Sequence, residues 1–298
     1  MSAWSVRSRS ELALVAVTIL WGATFVVVKN AIEQASTLVF LAMRFSLASA
    51  ALLLMFRSRL RPRGSLRVSL QGGLLAGFFL MLGYFFQTLG LRYTTPSRSA
   101  FLTGLTAVLV PFFSALVYRR APHLSEGIGV VVATTGLALL TLPGRLSLTL
   151  GYGDALTLCC TVAFACHILV LGRWSPISSL EILSVTQIGV TALLALALCG
   201  WAEPLKLVWS WSLVSGVVIT GLLATALAFT VQTWAQRHTT PARAALIFAL
   251  EPVSAALTAF LAVGEVLAGK ALLGAALILA GVLIVELKPV GPSRHLLE

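Results

Sequence analysis

Charged residues are scarce in this 298-residue chain. Asp, Glu, Lys and Arg make up 10% of it and hydrophobic residues 58%, whereas an average soluble protein has about 25% charged residues. A soluble domain of this size cannot bury that much apolar surface. The composition therefore excludes an ordinary cytosolic enzyme, a disordered chain and a nucleic-acid-binding module, and leaves an integral membrane protein.

Residues that carry chemistry are also few. The four cysteines form no CxxC pair, and there are only four histidines, so we expect neither a metal nor a cofactor. The single aspartate, Asp154, excludes a diaspartyl protease, and the lack of HExxH excludes a zinc protease. We therefore expect no enzyme activity. A membrane-embedded receptor or enzyme that does not transport stays open as an alternative.

Long apolar runs dominate the chain. Most are close to the ~20 residues that a helix needs to cross the membrane, and backbone groups in lipid need partners within their own helix. We therefore predict an all-α membrane protein with ten transmembrane helices. The predicted spans are 11–28, 37–56, 70–91, 99–118, 127–142, 152–172, 180–200, 211–235, 243–263 and 270–287.

The basic residues indicate the orientation of these spans. With the N-terminus inside, fourteen Lys and Arg fall on the inner side and six on the outer side, with Arg44 inside a helix. Cytoplasmic loops are the ones enriched in Lys and Arg. We therefore expect both termini to be cytoplasmic.

The chain contains an internal repeat. Residues 87–100 (QTLGLRYTTPSRSA) match residues 232–245 (QTWAQRHTTPARAA) at eight of fourteen positions, with an offset of 145 residues. Such self-similarity indicates duplication. Each copy holds five predicted helices, so the second must enter the membrane in the opposite sense. We therefore predict two inverted five-helix repeats, 11–142 and 152–287, an architecture shared by many secondary transporters.

Several motifs resemble the drug/metabolite transporter superfamily, in its EamA-like ten-helix branch. They are ILWGATFVVVK (Ile19–Lys29), AMRFSLASAALLL (Ala42–Leu54), ALEPVSAALTAFLAVGE (Ala249–Glu265) and GAALILAGVLIV (Gly274–Val285). The resemblance spans about residues 11–287. It implies an exporter of small metabolites, amino acids or lipophilic drugs from the bacterial cytoplasm, with either proton exchange or downhill flow.

We accordingly expect a multi-pass protein of the bacterial inner membrane that works by alternating access. Its partners are a small-molecule substrate and the lipid bilayer, with protons as an open choice of coupling ion, no nucleic acid, and a monomer or dimer as the assembly. The leading substrate class is amino acids or related amphipathic metabolites. Multidrug or lipophilic-cation efflux is the alternative.

A substrate site in such a carrier lies near the middle of the membrane, between the repeats. Trp21 is at that depth in the first span and is either a stacking surface or a packing residue. Tyr84 and Gln87 share a helix face, and their repeat counterparts are Phe229 and Gln232. The two glutamines either flank a cavity or hydrogen-bond neighbouring helices.

Three further residues have open roles. His167 titrates near neutral pH in water and is a candidate for proton coupling, although packing is the simpler role for it. Pro111 and Pro252 are expected to break the fourth and ninth helices, since proline removes a backbone donor. Each break is either a hinge or a static bend.

Two opposite charges lie deep in the predicted spans. Glu251 is about 12 Å from the cytoplasmic end of its helix and Arg44 about 10 Å from the outer end of its own. A charge at that depth costs at least ~2.5 kcal/mol and is normally paired or functional. Arg44 and Glu251 either lock two helices together or line the site. If they line the site, Arg44 would bind a substrate carboxylate, and Glu251 would bind an amine or carry the coupling proton.

The charge bias predicts which loops a membrane-impermeant thiol reagent reaches. In a background without native cysteines, Ser65→Cys should be labelled only from the cytoplasmic side and Glu203→Cys only from the outside. Labelling of intact cells against inverted vesicles measures this. Labelling of Ser65→Cys from outside would overturn the orientation.

Overall fold

The computed structural model describes residues 5–60, 65–94, 96–118, 124–141, 151–263 and 269–286. Within these ranges the chain is helical, apart from short connections and an isolated bridge between Ala35 and Leu207. The α-helices are α1 (Val6–Ile32), α2 (Thr37–Phe56), α3 (Leu66–Tyr93), α4 (Pro96–Gly104), α5 (Thr106–Tyr118), α6 (Leu124–Thr141), α7 (Tyr152–Trp174), α8 (Leu180–Leu198), α9 (Trp211–Val218), α10 (Ala228–Ala235), α11 (Pro241–Phe248), α12 (Glu251–Val263) and α13 (Gly269–Glu286).

The prediction of an all-helical chain is confirmed for these residues. Seven helical segments among them are long and apolar enough to cross a membrane, and two shorter apolar helices cover Leu124–Leu140 and Gly269–Val285. The count of ten spans stays a prediction. The expected repeat ends at 142 and 287 lie outside the described residues.

The fourth and ninth predicted helices are both interrupted, but only one of the two breaks lies beside the proline that was expected to cause it. The break between α11 and α12 falls at residues 249–250, just before Pro252, whose ring opposes continuation of the helix. The break between α4 and α5 falls at Leu105 and not at Pro111, which lies inside α5. Gly104 precedes this break and packs closely on Leu137 of α6, and glycine weakens a helix on its own.

A wider turn joins α9 to α10. Residues Ile219–Leu227 form a π-helix, a rare conformation that is often found at functional sites. A Cβ at Gly221 would stand 3.0 Å from the carbonyl oxygen of Arg44, so this segment lies directly against α2. The π-helix thereby brings its backbone and side chains close to a buried cation.

Contacts between helix ends show how the helices run. Lys29 donates to the carbonyl of Leu91 (2.7 Å) and Arg92 to that of Ala35 (2.5 Å), so the end of α1, the start of α2 and the end of α3 lie together. At the other end of the bundle, Ser69 near the start of α3 accepts from the N–H of Ser179 (2.9 Å), and Arg237 donates to the carbonyl of Ser178 (2.7 Å). Successive long helices therefore run back and forth between two ends.

Glycines allow α6 and α13 to cross in close contact. A Cβ at Gly136 would stand 2.5 Å from the carbonyl oxygen of Gly274, and one at Gly129 would stand 2.8 Å from that of Gly281. Real Cβ atoms essentially never approach a backbone atom below 3.0 Å. Only glycine fits at these two crossings without moving a helix.

Two buried apolar clusters flank the centre of the bundle. One includes Phe40, Phe45 and Leu80, and the other includes Leu137 and Ile278. Trp21 packs against both clusters. The indole of α1 therefore lies where the two clusters meet, which is also where the candidate site is found.

The α6–α13 crossing predicts opposite effects for two alanine substitutions in α6. Gly136→Ala should destabilise the protein by about 1–3 kcal/mol because the added methyl group overpacks a backbone contact. Gly127→Ala meets nothing within 4 Å and should stabilise it by about 0.5–1 kcal/mol, since alanine favours the helix. Thermal unfolding in detergent measures both, and equal melting temperatures would contradict the crossing.

Candidate functional site

A central cavity gathers most of the residues singled out in the sequence. Its empty volume is about 840 Å³, including space open to solvent, and α1–α5, α7 and α10–α12 contribute to its lining. All seven residues predicted to bind substrate line it: Trp21, Arg44, Tyr84, Gln87, Phe229, Gln232 and Glu251. His167 lines it too. The structure thus brings together residues that are up to 230 positions apart in the chain.

Aromatic rings form one part of the lining. The Trp21 ring centroid lies 5.2 Å from that of Phe229 and 5.3 Å from that of Phe248, and the Tyr84 and Phe229 centroids are 6.0 Å apart. Trp21 Nε1 donates to the carbonyl of Ala224 (2.8 Å) in the π-helix. This hydrogen bond fixes the indole and leaves its apolar surface to the cavity.

Arg44 is the buried cation of the cavity, with 3% of its surface exposed. Its Nε donates to Thr225 Oγ1 (2.7 Å) and one terminal nitrogen donates to Tyr84 Oη (3.1 Å). Its guanidinium carbon lies 4.4 Å from the centroid of the Tyr84 ring, a distance suited to a cation–π contact. All of these partners are neutral, so the positive charge is solvated but not neutralised by them.

Glu251 is the acidic residue of the cavity. Within the described ranges its carboxylate makes no hydrogen bond or ion pair, and no ion pair joins it to Arg44. The adjoining backbone is tightly packed: a Cβ at Gly22 would lie 2.5 Å from the Glu251 carbonyl oxygen, and Ser254 donates to the carbonyl of Ile19 (2.8 Å). Arg44 and Glu251 therefore line one cavity without locking two helices together as an ion pair.

The two repeat-related glutamines have different partners. Gln87 Nε2 is 3.5 Å from Thr103 Oγ1, at the limit of a hydrogen bond. Gln232 Nε2 donates to Gln236 Oε1 (2.9 Å), and Gln236 Nε2 donates to the carbonyl of Ile168 (3.0 Å). Both glutamines hence line the cavity; Gln87 contacts a neighbouring helix, whereas Gln232 bonds to a residue at the end of its own helix.

His167 belongs to a second chain of hydrogen bonds. Its Nε2 lies 3.0 Å from Gln187 Oε1, and Gln187 Nε2 donates to Thr233 Oγ1 (2.9 Å). Thr233 in turn donates to the carbonyl of Phe229 (2.7 Å). The histidine is thus a bonded residue in the wall of the cavity.

The repeat offset identifies a lining residue that the sequence analysis did not propose. Adding 145 to Thr103 and Thr106, which both line the cavity, gives Phe248 and Glu251, which also line it. Phe248 is therefore detectable from the repeat. Phe164, another lining residue, lies three positions before His167 and so on the same helix face.

A cluster around Asp154 was not predicted from the sequence; it lies at the end of the bundle where α3 ends and α7 begins. Arg98 forms an ion pair with Asp154 Oδ2 (2.7 Å), and Thr94 Oγ1 donates to its Oδ1 (2.9 Å). We call Thr94, Arg98 and Asp154 the Asp154 cluster. It joins the first half of the chain to the second.

A matching cluster surrounds Glu11 at the other end. Arg243, almost fully buried, lies 3.5 Å from Glu11 Oε1, and Thr239 Oγ1 donates to the same atom (3.0 Å). Arg7 also pairs with Glu11 (2.8 Å). We call these four residues the Glu11 cluster. Thr239 and Arg243 are the repeat counterparts of Thr94 and Arg98, so the TTPxR motif was the available signal.

The two prolines lie apart from these groups. Pro111 is buried inside α5 and Pro252 is the second residue of α12. Neither is among the described residues that line the cavity. Pro252 directly follows the lining residue Glu251, whereas Pro111 is six residues from the nearest interruption.

The environment of Arg44 predicts a stability difference between two threonines of the same helical segment. Thr225→Val leaves a buried charged N–H without its acceptor and should cost about 1–3 kcal/mol. Thr230→Val is the matched control, because its hydroxyl bonds only the carbonyl of Ala226 (2.7 Å). Thermal unfolding in detergent should separate them; equal stability would show that Thr225 does not solvate Arg44.

Comparison with known proteins identifies the family. The model of the EamA-like transporter family matches twice, at residues 8–142 and 151–287. An uncharacterized transporter of Archaeoglobus fulgidus is 30% identical over 282 residues, which cover 95% of this chain and 87% of that protein. The uncharacterized transporter YoaV of Bacillus subtilis is 21% identical over 278 residues, covering 91% and 94%.

A solved structure shares the fold. A crystal structure superposes with a TM-score of 0.74 at 20% sequence identity, covering 94% of this chain and 97% of that one. The family matches extend over both halves and nearly the whole length, and the relatives are named transporters. This multi-pass membrane protein therefore belongs to the EamA-like transporter family.

Proposed function

We propose that the protein exports amino acids or related amphipathic, zwitterionic metabolites across the bacterial inner membrane by alternating access. One observation carries the proposal. Arg44 and Glu251 line the same cavity, and within the described residues neither is paired with the other or with another ionised group. Among its described lining residues, the cavity thus offers one guanidinium and one carboxyl group to a ligand.

A zwitterion matches this pair of charges. A buried charge in the membrane is costly unless it is paired or functional, and Arg44 has only neutral partners. A substrate carboxylate would supply the missing negative charge at the guanidinium, where charge-assisted hydrogen bonds are strong. A substrate ammonium would do the same at Glu251.

The aromatic lining supports an apolar body in the substrate. Trp21, Phe229 and Phe248 present clustered rings, and such surfaces bind apolar groups by burial. The same rings beside the unpartnered Glu251 favour the second candidate, efflux of lipophilic cations, because aromatic faces attract cations. The two functions differ in whether Arg44 binds a carboxylate.

Alternating access would use two inverted repeats, 11–142 and 152–287. The double match to the family model supports the duplication. The α6–α13 crossing also supports the duplication. Gly274 and Gly136 are the repeat counterparts of Gly129 and Gly281 at the offset of 145, and both pairs are in contact. A two-fold relation between the halves requires such an exchange.

The Asp154 and Glu11 clusters suit such a carrier. Each uses the Thr and Arg of one half to hold a carboxylate of the other half, and they lie at opposite ends of the bundle. In our proposal they close the two ends in turn. The interruptions at Leu105 and at 249–250 would serve as hinges, aided by Pro252; Pro111 would contribute a bend within α5.

The charge pattern and the titratable groups support an orientation in the membrane and a coupling residue. The excess of Lys and Arg on one side favours cytoplasmic termini. Glu251 is the proposed proton carrier if transport is proton-coupled, because its carboxylate is unpartnered. His167 is the weaker candidate, since Nε2 is already bonded to Gln187. The transporter would act in the inner membrane as a monomer or a dimer.

Transport in proteoliposomes tests the proposal. Radiolabelled amino acids and a lipophilic cation, tetraphenylphosphonium, would be assayed with and without a pH gradient. Arg44→Gln and Glu251→Gln should each reduce amino-acid transport about tenfold or more, as expected for a lost charge-assisted contact. Protein levels should persist, and the double variant should stay inactive.

Matched substitutions at exposed positions serve as controls. Arg9→Gln and Glu33→Gln make the same chemical changes on the surface and should leave transport unchanged. Recovery of transport in the double variant would show that Arg44 and Glu251 act only as a structural pair. Transport of tetraphenylphosphonium and of no amino acid would replace the leading function by the second candidate.

A further inference from the structure

The orientation of the Gln232 side-chain amide is set through two successive hydrogen bonds, the second of which ends at a backbone carbonyl. The carbonyl of Ile168 can only accept, so Gln236 must present Nε2 to it and Oε1 to Gln232. Gln232 must then donate through Nε2. Its Oε1 is left over, and it has no partner within the described part of the chain although only 1% of the residue is exposed.

The second chain fixes His167 in the same way. The hydroxyl of Thr233 gives its single proton to the carbonyl of Phe229, so it must accept from Gln187 Nε2. Gln187 Oε1 then faces His167 Nε2, which must carry the hydrogen. In the neutral ring Nδ1 is an acceptor, and among the described residues nothing donates to it.

Apart from Gln87 and the threonines of the lining, the polar groups of the cavity are therefore sorted by type. Acceptors come from α7, α10 and α12, as His167 Nδ1, Gln232 Oε1 and the Glu251 carboxylate. Donors come from α2 and α3, as Arg44 and the hydroxyl of Tyr84, which accepts from Arg44 and keeps its own proton to donate. A ligand must bring N–H groups to the first set to satisfy it.

We infer that this cavity selects an unsubstituted primary ammonium group, and that Gln232 and His167 determine this specificity alongside Glu251. The inference rests on the proposed function and names the cationic end of its substrate. A primary ammonium has three N–H donors for the three acceptors. A quaternary ammonium has the same charge and suits the aromatic rings, but it leaves Gln232 Oε1 and His167 Nδ1 without donors. Sites that hydrogen-bond their ligand reject analogues that lack the donor.

Two pairs of ligands test the inference in purified protein. The first pair is L-phenylalanine and its N,N,N-trimethyl derivative, and the second is phenethylamine and phenethyltrimethylammonium, which lack the carboxylate. Equilibrium binding should favour the primary ammonium by about tenfold or more in each pair, the size expected for an unsatisfied acceptor. This comparison needs no variant, so a folding defect cannot obscure it.

Variants identify the residue responsible. Gln232→Met removes the acceptor at similar size and should reduce the preference to about threefold or less. Gln71→Met is the matched control, since Gln71 is exposed on α3, and it should leave the preference unchanged. His167→Phe should also weaken the preference.

The outcomes separate the inference from the proposed function. Equal binding within both pairs would overturn the inference. A preference in the amine pair without binding of L-phenylalanine would support it while contradicting zwitterion recognition. An unchanged preference in both Gln232→Met and His167→Phe would remove these residues as determinants. Binding of none of the four compounds would overturn both ideas.

Discussion

The buried guanidinium of Arg44 constrains the middle of this protein. A buried ion is costly unless hydrogen bonds replace those it made with water, and Arg44 donates such bonds to Tyr84 of α3 and Thr225 of the π-helix. Three segments that are far apart in the chain must therefore meet around one side chain. The carbonyl of Ala224 in the same π-helix accepts a hydrogen bond from Trp21. One segment therefore holds both the Arg44 side chain and an aromatic ring of the cavity lining.

In the proposed function, this arrangement leaves charge for a ligand to neutralise. Thr225 and Tyr84 solvate the cation with neutral oxygens, and Glu251 has no partner within the described chain. In the proposed site, a direct pair of these two residues would leave neither charge for a substrate. Such separation of charges is typical of positions where binding energy is reserved for the ligand.

Particular residues show how far sequence reasoning reached. Trp21, Tyr84 and Phe229 were found from depth and from the repeat, and all line the cavity. Glu11 and Asp154 were missed as cluster members because each is a carboxylate near a helix start, which reads as an ordinary capping or surface charge. The position of the break at Leu105 was misjudged, since a proline at 111 is a stronger local signal than close packing of Gly104 on another helix.

The sequence alone determined the apolar helices, the duplication and the set of polar residues within the apolar segments, because these depend on hydropathy and on comparison of the chain with itself. Only the tertiary structure decided that Arg44 bonds to Tyr84 and Thr225 and not to Glu251. It also decided that residues 219–227 form a π-helix and that Gln232, a lining residue of the cavity, keeps an oxygen without a partner among the described residues. These features depend on partners distant in sequence, such as the carbonyl of Ile168 behind Gln236, and hydropathy carries no record of which distant groups will meet.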